Sequence, residues 1–374
     1  MEQLHEAFKA FQSGGAQFSV SYAEIWAELE VPLPPPSMPF LDHNSVTFTR
    51  NLFNSGNEGN MPCPSFLAIR DVLFELYTPK NPTEPQILKL DDVELVKNSN
   101  FDKTIPTRIL VHGWGSTGAE LISKFADAYF VNGKHKVNFI AVNWMKGSND
   151  FNYFCSRQLV NTVGEHLAGF INFMSNKLWM TISDLCIIGH SLGAHISGIA
   201  GKNTIRKVGK IVGLDPAEPC FKSDDVENRL ADTDALYVET IFTCSGLLGH
   251  TEPLGKANFY PNGGRNQPGC ALDMLGICAH QRAWKLYVES INLPQFNAFQ
   301  CDSITNFRRG NCSVINNIVQ MGGEPGNRRG VEGIFYLQTN YKPMFGEGRQ
   351  GLYSALAGAK KRVSLEMIER KIPK

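Results

Sequence analysis

Four short runs are apolar on both faces and rich in β-branched residues: 108–114 (RILVHGW), 138–144 (NFIAVNW), 185–190 (LCIIGH) and 210–215 (KIVGLD). Runs of this length and composition predict strands buried in a mostly parallel sheet. Between the second and third, Leu159, Val160, Val163, Leu167, Phe170, Ile171 and Met174 recur at helical spacing. That pattern predicts a crossover helix, and the alternation of the two periods predicts an α/β architecture built from βαβ units. Near the start, Met1, Leu4, Phe8 and Phe11 fall on one helical face, and 32–39 (PLPPPSMP) reads as a stiff extended arm. The expected organisation is a helical segment with a proline-rich linker over 1–40, a catalytic-sized α/β domain over 41–347, and a basic tail over 348–374.

Composition narrows the class. The chain has 374 residues, of which 43% are hydrophobic and 19% charged, enough for a large core and too apolar for global disorder. Its formal net charge is +0, which argues against a nucleic-acid partner. No run of apolar residues is long enough for a transmembrane helix, and nothing points to a protein partner. Nine cysteines lack the C-x-x-C spacing of a zinc site. Cys220 and Cys244, Cys270 and Cys278, and Cys301 and Cys312 lie near one another among Gly, Pro and Asn, and read as loop-closing disulfides. Cys186, inside an apolar run, is the expected buried thiol, which leaves Cys63 and Cys155 to pair. Disulfides require an oxidising compartment, so an extracellular location is expected. Residues 1–11 are not patterned like a secretory leader, and an altered start is the expected explanation.

The sharpest chemical signal is Gly189-His190-Ser191-Leu192-Gly193, which follows one predicted strand and opens a stretch that can be helical. A serine hydroxyl becomes a nucleophile only when a base takes its proton and when it stands clear of the backbone. A strand-to-helix corner tight enough for that leaves no room for side chains two residues either side, hence the two glycines. The bland alternative is a glycine-rich helix start packed against the sheet. On such a scaffold an acid and then a histidine follow the serine in chain order. Asp215 ends the next strand before Pro216, although a capping role would also suit it. Only His250 and His280 follow Asp215. His280 comes just after Cys278 at the start of an amphipathic run, where its ring would be held in place; His250 lies in glycine-rich loop sequence. An oxyanion needs donors, for which the backbone N–H of Leu192 and of Trp114 in the loop 112–115 are the candidates; Trp114 could instead only pack.

Taken in order, 108–115 (RILVHGWG), 142–153 (VNWMKGSNDFNY), 186–194 (CIIGHSLGA), 211–221 (IVGLDPAEPCF), 259–264 (FYPNGG) and 268–280 (PGCALDMLGICAH) resemble the pancreatic lipase family of animal α/β hydrolases. The resemblance runs from about Cys63 to Pro343. It implies the α/β-hydrolase fold and hydrolysis of lipid carboxylic esters at a lipid interface, with Ser191, Asp215 and His280 as triad and no cofactor. Triacylglycerol lipases of the family carry a long lid between the two cysteines that precede the histidine. Here Cys270 and Cys278 enclose only seven residues. A loop closed by a disulfide and of that length rises roughly 10–12 Å at most, too little for an amphipathic cover. Short loops of this kind resemble the phospholipase A1-like members of insects and venoms, so release of fatty acid from glycerophospholipids is the expected activity. Triacylglycerol hydrolysis, or a catalytically weak lipid-binding or storage role, are the alternatives. Members of the family often have a calcium loop after the triad acid. Arg229 and Asp234 match it, but Val226 and Ala231 replace carboxylates, with Glu227 and Asp232 adjacent; no metal is expected. Phe242 stands where many members have a histidine, and Asn311-Cys312-Ser313 has the form of a glycosylation sequon.

Overall fold

The computed structural model describes residues 63–348, apart from 116–117, 151, 272, 274, 310–311, 313 and 327–329. The helical reading of 1–11, the proline-rich arm, the tail beyond Gly348 and Asn311 of the sequon lie outside the described residues.

All four apolar runs are strands: β3 (Thr107–Val111), β4 (Asn138–Asn143), β5 (Cys186–His190) and β6 (Val208–Leu214). They belong to one sheet with β1 (Leu73–Thr78), β2 (Asn81–Leu88), β7 (Ala235–Ile241), β8 (Ala257–Pro261), β9 (Asn297–Cys301), β10 (Val314–Gln320) and β11 (Gly333–Leu337). The order across the sheet is β10-β9-β11-β8-β7-β6-β5-β3-β4-β1-β2. From β4 through to β11 neighbouring strands are parallel, and antiparallel pairs finish both edges.

The double-sided apolar pattern follows from helices on both faces. Ile109, Val111, Ile140, Val142 and Ile187 point into one core with α2 (Val160–Leu178) and α3 (Leu192–Asn203). Leu110, Phe139, Ala141 and Ile188, the alternate positions, point into a second core with α1 (Ala119–Ala126) and α4 (Ile277–Asn292). Burying a side chain of this size contributes about 1.5–3 kcal/mol. Helix α2 is the expected crossover, and its Phe170 ring stacks on Phe74 of β1 at 3.8 Å. Successive strands run outward from β3 to β4 on one side and from β5 to β8 on the other. The order therefore reverses between β3 and β5, and the carboxyl ends of these two strands flank the crevice where open α/β sheets bind ligands.

Candidate active site

The corner between β5 and α3 is Ser191, held at φ 58° and ψ −123°. This is a conformation that residues with a side chain rarely adopt, and it persists only where the surroundings impose it. The glycines explain how. A β-carbon on Gly189 would lie 2.2 Å from the Gly193 carbonyl oxygen, and one on Gly193 would lie 2.1 Å from that of Val111 in β3. The serine N–H donates to the Leu214 carbonyl at 3.0 Å, which fastens the corner to the end of β6. Gly113, in the loop after β3, passes so close that a β-carbon there would meet the Ser191 Cβ at 2.6 Å and its Oγ at 3.2 Å. The loop after β3 thus runs directly against the serine.

Asp215 follows β6 and is fully buried. Its Oδ2 and the Nδ1 of His280 are 2.6 Å apart. Its Oδ1 accepts from the backbone N–H groups of Thr243 at 2.8 Å and Cys244 at 3.0 Å. With Nδ1–H donating to the carboxylate, His280 carries its lone pair on Nε2, the arrangement a general base requires. His280 sits in the first turn of α4. The turn before it is closed by the Cys270–Cys278 disulfide, with Cα atoms 5.6 Å apart. Asp273 inside that loop accepts from the Ala279 N–H at 2.8 Å, and Gly276 supplies a left-handed turn at φ 73°. A short covalent loop, a capping carboxylate and a helix start together hold the imidazole in place. His250, the other downstream histidine, is buried, with its Nδ1 accepting from the Glu252 N–H at 3.1 Å, and does not replace His280 beside Asp215.

Trp114 is half-buried, with its indole Nε1 donating to the Asp150 carbonyl at 2.7 Å and its ring edge-on to Tyr153 at 5.3 Å. Its side chain packs, and its backbone belongs to the loop that passes Ser191. Leu192 opens α3, where the first N–H groups have no acceptor within the helix. Three contributors were not legible in sequence. His112 is buried: its Nδ1 donates to the Gly113 carbonyl at 3.0 Å and its Nε2 accepts from the Trp144 N–H at 3.3 Å, which ties down the loop after β3. Burial pushes its pKa down to about 4. Thr243 and Cys244 contribute only backbone donors, for which side-chain identity carries no signal.

The cysteines require one correction. Disulfides join Cys63 to Cys155, Cys270 to Cys278 and Cys301 to Cys312, and Cys186 is a buried thiol. The expected Cys220–Cys244 bond does not form, and both remain thiols. Cys244 lies beneath the 270–278 loop with its Sγ 3.2 Å from the Gly276 carbonyl. Cys220 belongs to a different neighbourhood, where its carbonyl accepts from Arg157 and that of Pro219 from Tyr153. Nearness along the chain does not bring the two Cβ vectors together. Phe242, the replaced histidine position, is fully buried and stacks on Tyr260 at 4.8 Å.

The sequence profile of the Lipase family matches residues 57–345. The chain belongs to this family. Mouse pancreatic triacylglycerol lipase is 35% identical over 318 residues, covering 77% of this chain and 67% of that protein. Mouse pancreatic lipase-related protein 2 is 33% identical, covering 78% and 66%. The pig pancreatic triacylglycerol lipase is 34% identical, covering 78% and 70%. This lipase-family chain therefore matches about two thirds of the length of these relatives.

Proposed function

We propose that this protein hydrolyses carboxylic esters of lipids, with Ser191 as nucleophile, His280 as general base and then acid, and Asp215 as the group that orients His280. The observation that carries the reading is the 2.6 Å contact between His280 Nδ1 and Asp215 Oδ2 at the rim where the strained Ser191 corner stands. Ser191 Oγ attacks the ester carbonyl carbon as its proton passes to His280 Nε2. Asp215 stabilises the resulting imidazolium. The oxyanion takes hydrogen bonds from the N–H groups of Leu192 and Trp114, donors worth about 3–4 kcal/mol each in such sites. His280 returns the proton to the departing alcohol, and water repeats the sequence on the acyl-enzyme.

The preferred substrate is a glycerophospholipid, cleaved in the manner of a phospholipase A1. The short loop between Cys270 and Cys278 supports this, because it is bound back onto α4 through Asp273 and is too small to roof a wide acyl groove. Triacylglycerol hydrolysis is the second reading, supported by the pancreatic triacylglycerol lipases that match at 34–35% identity. The three disulfides support an extracellular location.

A serine-directed organophosphonate is expected to label Ser191, and Ser191→Ala to lower ester turnover by about 10⁴-fold or more. Folded protein that resists labelling would end the hydrolase reading. Fatty-acid release from phosphatidylcholine set against release from trioleoylglycerol decides between the two substrates, and dominance of the triglyceride would overturn the phospholipase assignment.

A further inference from the structure

Between Phe221 and β7 the chain makes an excursion that passes behind the Asp215 turn. In related lipases this stretch is often a calcium loop, and the donor set here does not fit one. Of the matching residues, Arg229 offers its carbonyl and Asp234 its carboxylate, while Ala231 has no carboxylate to offer; its carbonyl accepts from the Asp234 N–H at 3.2 Å and its N–H donates to Asp234 Oδ2 at 2.8 Å. Val226 is exposed, and so are the neighbouring carboxylates Glu227 and Asp232. A calcium ion asks for six to eight oxygens.

The place is taken by a side chain. Lys202, in the last turn of α3, puts its Nζ 2.9 Å from the Arg229 carbonyl and 2.5 Å from Asp234 Oδ1. The Asp234 side chain is 1% exposed and that of Lys202 17%, so the pair is largely shielded from water. The loop is also held by a histidine two turns earlier on the same face of α3. Leu230 N–H donates to His195 Nδ1 at 3.1 Å, and His195 Nε2 donates to the Ala217 carbonyl at 2.7 Å. With one nitrogen accepting and the other donating, the ring is a neutral, fixed strut, stacked on Phe221 at 3.8 Å. Ala217 stands two residues after Asp215, and its N–H reaches the Ser191 carbonyl at 3.4 Å.

We propose that the Lys202 ammonium is the built-in cation of this loop, filling the role of a bound divalent ion, and that through Leu230 and His195 it positions the turn carrying Asp215. Lys202 is thus a positioning residue. Only the kinetic part of its test rests on the function proposed above.

The test uses the full chain. Isothermal titration of the wild type with millimolar calcium is expected to give no binding, and its Tm is expected to be the same in EDTA and in calcium. Lys202→Met is expected to lower Tm by about 5–10 °C, since it leaves a buried carboxylate without its partner. It should also cut kcat on p-nitrophenyl butyrate about tenfold with KM little changed, a loss of positioning and not of binding. Lys202→Arg should restore both, and Lys202→Met combined with Ala231→Asp should gain a Tm that rises with calcium. Calcium binding by the wild type, or a Lys202→Met protein as stable as the wild type, overturns the proposal. If Lys202→Met fails to fold, the wild-type titration and the Lys202→Arg protein still decide it. Should no variant hydrolyse any ester while the Tm pattern holds, the function reading fails and the cation assignment stands.

Discussion

His190 supports His280 by backbone and by ring: its Nε2 lies 3.1 Å from the His280 carbonyl oxygen, and the two imidazoles sit 4.6 Å apart, tilted by 43°. A carbonyl can only accept, so His190 donates from Nε2. Burial, and secondarily the neighbouring His280, hold its pKa well below the ordinary range, and it is a neutral wall.

Replacing that wall separates alignment from binding. His190→Leu removes the donor and frees the carbonyl side of His280, and kcat is expected to fall by about 10²-fold with KM held. His190→Gln, which keeps an N–H, should recover part of the loss. Equal rates for wild type and the Leu variant would show that His190 is not needed to align His280.

Acidification should weaken the fold before ordinary carboxylates titrate. Burial depresses both His112 and His250 from 6.5 to about 4. Between those values the unfolded chain binds protons that the folded chain refuses, so stability is present above the unfolded pKa and is lost as pH falls toward 4. The loss is on the order of 3 kcal/mol per histidine. Urea denaturation at about pH 7 and about pH 4.5 is expected to show a marked drop in midpoint, smaller in a His250→Gln variant. A flat profile across that window would mean that these rings take up protons in the folded state.

Two glycines test close packing by contrast. Gly193→Ala would drive a β-carbon onto the Val111 carbonyl at 2.1 Å, and should cost about 3 kcal/mol or more or prevent folding. Gly169, inside α2, would meet only Leu90 Cδ2 at 3.7 Å. Gly169→Ala should therefore raise stability by about 0.5–1 kcal/mol, the gain of alanine over glycine in a helix. Chemical denaturation of both variants measures the difference, and similar effects from the two would refute the tight-corner account.

Thiol chemistry checks the cysteine pairing. Alkylation of unfolded, unreduced protein should modify Cys186, Cys220 and Cys244 and no others. In the folded protein Cys220, which is partly accessible, should react first. Cys186 is buried and its thiol is pushed up to about 11, and Cys244 is also buried with its thiol pushed up, so both should wait for unfolding. A Cys220–Cys244 peptide in a non-reduced digest would restore the bond that the structure lacks.

Four central strands and the crossover helix were legible because each is decided over a few residues by a period, two for a strand and 3.6 for a helix, and a strand buried on both faces writes itself as an unbroken apolar run. The corner at Ser191 was legible for the same local reason: excluding a β-carbon at 189 and 193 leaves glycine as the trace. Family membership could be read from ordered motifs. What required tertiary structure was a further set of contacts across distance. The separation of Cys220 from Cys244, the fixing of Asp215 by the backbones of Thr243 and Cys244, the use of His112, and the seating of Lys202 on Arg229 and Asp234 all depend on relations in space that spacing along the chain does not reveal. Backbone donors leave no mark in residue type, and a lysine facing solvent reads the same as one closing over a buried carboxylate. Local sterics are encoded residue by residue, whereas contacts made by folding depend on where the sheet carries each segment.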